Sequence, residues 1–164
     1  MSPTHAPQAR RSPEEQARLE DLLRHTFEQR IPFNAVLGLK VHSFDPAKPQ
    51  LLFTMRKELV GNFVQGRLHG GVTAAVLDTV GGFAVGLGIA EKYCDESAEE
   101  VGHRFNRVGT IDLRTDFLRP GLGKHFIATG KIIRLGGRIA SVHMSLEDDA
   151  GHLIATGAGA YVVS

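Results

Sequence analysis

One carboxylate, Asp78, stands inside the most apolar run of the chain, LHGGVTAAVLDTVGGFAVGLGIA from Leu68 to Ala90. Burying an unpaired ionised carboxylate costs several kcal/mol, so an acid in such a place needs either partners or a task. No lysine or arginine lies between His69 and Ala90. An acid there can serve as a general base or as a nucleophile. The plainer alternative is a structural acid bonded to Thr79, a backbone amide or a basic side chain. Nine residues upstream stands His69-Gly70-Gly71, where the apolar run begins. The N–H groups at a helix start lack intrahelical partners and carry the positive end of the dipole. Glycine lets a ligand approach them closely, and such donors stabilise an oxygen on which negative charge develops. Alternatively the two glycines shape a turn and His69 caps the helix. The other seven histidines are scattered, with no His/Cys/Asp/Glu cluster at metal spacing, so no metal is expected.

The elements that must position these groups follow from periodicity. Residues 1–11 carry no apolar period and are expected to be a disordered tail, with a single domain over 12–164. In SPEEQARLEDLLRHTFEQR, Ser12 suits an N-cap, Pro13 the first helical position, and Glu15 a capping box. Leu19, Leu22, Leu23 and Phe27 form one stripe, and the helix should stop before Pro32. Alternation from Leu39 to Phe44 predicts a strand, DPAKP a turn, and Leu52 to Arg56 a second strand. VGNFVQGR reads as a loop into the long apolar helix, and residues 91–107 as a polar connection. Four strands follow: Ile111 to Phe117, HFIATGKIIRL, RIASVHMSLEDD after a Gly-Gly turn, and LIATGAGAYVV. The order is helix, two strands, long helix, four strands, an α+β arrangement. A helix apolar nearly all round must be covered, so the sheet is expected to curl around it.

Composition narrows the classes. The chain is 42% hydrophobic and 23% charged, with a net charge of +1, which points to neither nucleic acid nor a membrane surface. No DNA-binding motif is evident, and the amino-terminal helix is too acidic to suggest one. Cys94 is the lone cysteine, so no intramolecular disulfide can form and a reducing compartment fits. MSPTHAPQARRSPEEQ has no apolar signal segment, and a cytoplasmic location is expected. Gly70 to Ala90 would reach roughly 32 Å as a helix, enough to span a bilayer. Asp78 near its centre, at a cost of about 3 kcal/mol, and the interior glycines argue instead for a core helix.

HGGVTAAVLD, followed by TIDLRTDFLRPG and the closing strand hairpins, resembles the hotdog-fold acyl-CoA thioesterases of the PaaI-like group. The resemblance covers Ile31 to Val163. It implies an antiparallel sheet of five or six strands wrapped around one long helix, with thioester hydrolysis as the activity. It further implies that the Gly70 N–H, with Gly71 beside it, polarises the thioester carbonyl. Asp78 nine residues after His69 lies about 13.5 Å along a helix and roughly 180° around it. Asp78 therefore cannot serve a carbonyl held at its own Gly70, and must reach it from a second copy of the chain. This agrees with the family, whose site lies across a dimer interface, and a homodimer with two equivalent sites follows. A dimer of dimers is a further expectation.

The family also places an amide side chain near the site. Asn62 is the natural candidate, seven residues before His69, with Gln65 and Asn34 as alternatives. Asn62 equally suits the turn after Gly61. His69 would orient the thioester or cap the helix, and Thr79 would donate to Asp78. No cofactor is implied beyond coenzyme A as part of the substrate. For its phosphates a basic rim is expected: Val101 to Arg138 carries eight basic residues against two acids, and Arg119, Arg134 and Arg138 with Gly137 are the candidates. The interior glycines of the long helix, Gly81, Gly82, Gly86 and Gly88, each cost up to about 1 kcal/mol relative to alanine. Close approach of the sheet, a partner helix or an acyl chain would offset that. Two other functions stay open on the same fold: a non-catalytic acyl-CoA sensor, and a hydratase or dehydratase pairing His69 with Asp78.

Overall fold

The structure, a computed structural model, describes residues 10–164. Most of the tail expected over residues 1–11 lies outside the described residues. Its last member, Arg11, is held in place. The Arg11 guanidinium donates to the carbonyls of Ala90 and Tyr93 at 2.8 Å each, closing the carboxyl end of the long helix.

Helix α1, Pro13–His25, opens as expected, with Ser12 accepting from the Glu15 N–H at 3.2 Å. The Glu15 side chain does not return to complete a box. It accepts from Arg18 and, at 3.0 Å, from the N–H of Ala98 far along the chain. A π-helical turn, Thr26–Arg30, continues α1 and ends before Pro32. Pro32 then starts a short helix, α2 (Pro32–Leu37), which the sequence reading did not anticipate. Gly38, at φ +70°, stops it in a left-handed conformation that favours glycine.

Strands β1 (Lys40–Ser43) and β2 (Gln50–Thr54) pair antiparallel. The second was expected at Leu52 to Arg56. It ends earlier because its partner β6 begins at His125, opposite Thr54. The expected loop VGNFVQGR is in part a small hairpin, β3 (Val60–Asn62) with β4 (Arg67–Leu68). The long helix α3 runs Gly70–Lys92, and the connection after it holds another helix, α4 (Ala98–Phe105), where none was expected. Ser97 and Glu100 form a full capping box at its start. Four strands complete the chain: β5 (Gly109–Phe117), β6 (His125–Leu135), β7 (Ile139–Asp148) and β8 (Leu153–Val162).

The six longer strands form one antiparallel sheet in the order β1-β2-β6-β7-β8-β5, packed on α3. This is the hotdog architecture. Val76, Leu77, Val80, Phe83 and Val85 of α3 are fully buried against Phe126, Ala128, Val142 and Leu146 of the sheet. Here α3 is a core helix, although its length and apolarity match a bilayer span. Helices α1 and α4 add cover, with Leu19, Leu23, Phe27 and Val101 buried in the same core. Small residues set the spacing: a Cβ on Gly130 would lie 2.7 Å from that of Ala84. Gly81 and Gly88 are explained likewise, since a Cβ at either would overlap the Tyr161 hydroxyl or the Ile132 side chain.

Candidate active site

Two groups of polar atoms are arranged along α3, one at its start and one in its middle. At the start, His69 is the N-cap, and its Nδ1 accepts from the Gly71 N–H at 2.8 Å. That bond places the proton of a neutral ring on Nε2. The N–H groups of Val72 and Thr73 both donate to the His69 carbonyl, at 3.0 and 3.2 Å. Among these first four amides only Gly70 has no acceptor among the described residues. Gly70 is exposed, and a Cβ there would lie 3.4 Å from the Phe117 ring. The helix thus presents one free N–H beside an apolar surface. His69 performs the capping role that was its plainer alternative.

The β3–β4 hairpin sits against this end, with the His69 N–H donating to Leu59 O at 2.8 Å. Asn62 closes the hairpin tip: its Oδ1 accepts from the N–H groups of Val64 and Gln65 at 3.1 Å each. Gln65 is exposed on the same tip.

Asp78 lies eight residues from Gly70, about 12 Å along the helix. It is half-buried within the protomer and opens onto a cleft of about 250 Å³ shared with Phe27, Ile31, Asn34 and Gly82. Its Oδ1 accepts from the Thr110 hydroxyl at 2.8 Å and from the Tyr161 hydroxyl at 3.3 Å. The Tyr161 hydroxyl also lies 3.0 Å from the Asp78 carbonyl oxygen. Oδ2 has no partner among the described residues, and neither has the carboxylate any ion pair. One oxygen is therefore fixed and the other is available to a ligand or water.

Thr79, the expected donor, does not touch Asp78. Its hydroxyl bonds back to the Ala75 carbonyl at 2.9 Å, as helical threonines do. The actual donors, Thr110 and Tyr161, face each other across β5 and β8. A bulge at Ile111 follows Thr110 in that register. Tyr161 is 1% exposed, and its hydroxyl fits under α3 only because residue 81 is glycine. Burial first, and the neighbouring Asp78 charge second, push the phenol well above its usual value, so it stays a hydrogen-bond donor. Tyr161→Phe is expected to cost about 1–2 kcal/mol of stability by removing this buried donor from acceptors that remain. Urea unfolding measures that, and an unchanged midpoint would mean the hydroxyl contributes nothing.

Of the three candidate amides, Asn34 is the one in the Asp78 cleft. It is buried, donating from Nδ2 to Phe27 O at 3.0 Å, with the Thr79 hydroxyl 3.4 Å from its Oδ1. Asn62 and Gln65 belong to the helix start instead. Among the basic candidates, Arg134, Gly137 and Arg138 line one cleft of about 340 Å³ at the β6–β7 turn. Arg119 stands apart, donating to Leu153 O at 3.0 Å.

The sheet wrapped on a single helix, with an acid mid-helix and an exposed glycine amide at its start, defines the hotdog class. The model of the thioesterase superfamily matches residues 65–155, and this chain belongs to that superfamily. It is 37% identical over 142 residues to the medium/long-chain acyl-CoA thioesterase YigI of Salmonella typhimurium, covering 87% of this chain and 92% of the relative. Against YigI of Escherichia coli K12 the identity is 35% over the same coverage. A crystal structure of a Shewanella oneidensis protein related to the thioesterase superfamily superposes with a TM-score of 0.86 at 40% identity, covering 94% of this chain and all of that one.

Proposed function

We propose that this protein hydrolyses acyl-CoA thioesters at sites shared between two copies of the chain. The observation that carries the reading is the separation of two incomplete half-sites on one helix. The Gly70 amide bonds no acid among the described residues, and Asp78 stands about 12 Å away along the helix. A second α3 running antiparallel beside the first brings each Asp78 to the other's Gly70.

The Gly70 N–H then donates to the thioester carbonyl oxygen and strengthens that bond as the oxygen becomes negative. Asp78 of the other copy either takes a proton from water, which attacks the carbonyl carbon, or attacks it directly to give an anhydride that water opens. In both routes the carbon–sulfur bond breaks, coenzyme A leaves as the thiol, and the acid is released. Thr110 and Tyr161 hold one carboxylate oxygen so that the other points to the reaction. Arg134 and Arg138, with Gly137, supply positive charge and close backbone approach for the coenzyme A phosphates, while Arg119 stands apart from that cleft.

Thiol release from a panel of acyl-CoAs tests the reading. Turnover is expected, with decanoyl- and palmitoyl-CoA preferred over acetyl-CoA, in line with the names of the YigI relatives. Acyl-CoA binding without thiol release would favour a sensor instead. Enoyl-CoA hydration is assayed beside it, and hydration without thiol release would favour a hydratase that pairs His69 with Asp78.

A further inference from the structure

Gly82 is the interior glycine of α3 that packing within the protomer does not explain. At Gly81, Gly86 and Gly88 an added Cβ would meet Tyr161, Phe105 or Ile132. At Gly82 it would meet nothing within 4 Å. Glycine is the least favourable helix-interior residue after proline, so an empty Cβ position is a cost without a local return. Gly82 stands one turn beyond Asp78 on the same face of the helix and lines the same cleft.

One further turn along that face is Gly86, and the Phe105 ring lies over it, with Cδ2 3.0 Å from where a Cβ would stand. Phe105 leans on Phe27, their ring centres 5.2 Å apart, and the two rings close the cleft beyond Gly82. Past Phe105 opens a second cleft, about 500 Å³, between α1, the π-helical turn that follows it, and α4. Leu22, Leu23 and Ile31 line its inner wall, Arg30, Glu99 and His103 its rim, and Phe105 and Ile31 border both spaces.

We infer that the acyl chain runs from Asp78 over the bare backbone at Gly82 toward the second cleft, with Phe105 as the movable partition that sets accepted chain length. The occupant is an aliphatic acyl chain because the path is floored by glycine, walled by Phe27, Ile31 and Phe105, and begins at the acid. The inference rests on the thioester hydrolysis proposed above.

The test uses the full chain and its kcat/KM for butanoyl-, decanoyl- and palmitoyl-CoA. Gly82→Leu meets nothing within the protomer, so the protomer's fold should not suffer. It is expected to lower the palmitoyl-to-butanoyl ratio of kcat/KM tenfold or more. Phe105→Ala removes the partition and is expected to raise the palmitoyl-to-decanoyl ratio several-fold. A uniform loss on all three substrates, or an unaltered profile in both variants, overturns the inference. So does a change of native mass in Gly82→Leu, which would assign the open face to a second copy. If the parent protein releases no thiol from any substrate, the hydrolysis reading fails by itself. Calorimetric binding of palmitoyl- and butanoyl-CoA to the parent and Gly82→Leu then decides the channel: a selective loss of palmitoyl binding supports it, and equal affinities overturn it.

Discussion

Asp78→Asn is expected to lower thioester hydrolysis by about 10²–10⁴-fold, the range spanned by loss of a positioned general base. The substitution is close to isosteric, and the amide oxygen can take the place of Oδ1, accepting from Thr110 and Tyr161 as the carboxylate does. The new NH₂ group falls where Oδ2 stands, facing the cleft with no protein partner to lose. Stability and native mass should therefore match the parent, while kcat collapses and KM moves little. The assay is thiol release, with urea unfolding and light scattering as controls on the same samples. A variant that turns over like the parent removes Asp78 from the chemistry. One that unfolds or changes mass assigns the acid a structural role.

Much of this architecture is legible in the residues themselves. Asp78 in an apolar run and glycines at its start mark the long helix and the two candidate points on it. Period-two alternation marks the strands from Ile111 onward. Element boundaries depend on partners the local pattern does not contain: β2 ends at Thr54 because β6 starts opposite it. Helix α4 was within reach, since Ser97 and Glu100 are spaced as a capping box, but five acids over residues 91–100 read as a solvated connection. Pro32 is both a stop for the first helix and the start of the next, since proline also suits the first helical position.

The site residues divide in the same way. Thr79 is adjacent to Asp78 in sequence, yet neighbours on a helix point about 100° apart and Thr79 satisfies its hydroxyl on Ala75. Thr110 and Tyr161 are 32 and 83 positions from Asp78, and only the β5–β8 register brings them together beneath it. No spacing rule carries that information. Asn34 reaches the cleft through α2, while Asn62, the candidate the family resemblance implies, stands on the hairpin beside the helix start. What sequence did contain was the argument from helix geometry that Gly70 and Asp78 of one chain stand apart. In the structure Asp78 opens to a cleft and is not sealed in the protomer's interior.

Mixing two inactive variants turns that separation into a measurement. Gly70→Pro deletes the free N–H with little disturbance, because Gly70 is the first helical residue, where proline is favoured. His69 already has the extended backbone a following proline demands, φ −67° and ψ 133°, and Phe117 leaves 3.4 Å for a Cβ. Loss of one such donor is expected to cost about 10²–10³-fold in kcat. Gly70→Ala, which keeps the N–H, should retain far more activity and serves as the control. When Gly70→Pro and Asp78→Asn chains are unfolded together and refolded at equal amounts, half of any dimers pair one of each. In such a pair one site receives the intact Gly70 of one chain and the intact Asp78 of the other, while the second site carries both lesions. Activity should return to about a quarter of the parent level, as two-fold symmetry with sharing requires. If each chain completed its own site, every site in the mixture would carry a lesion and no activity would return. With both single variants nearly inactive on their own, recovery is a property of shared sites alone.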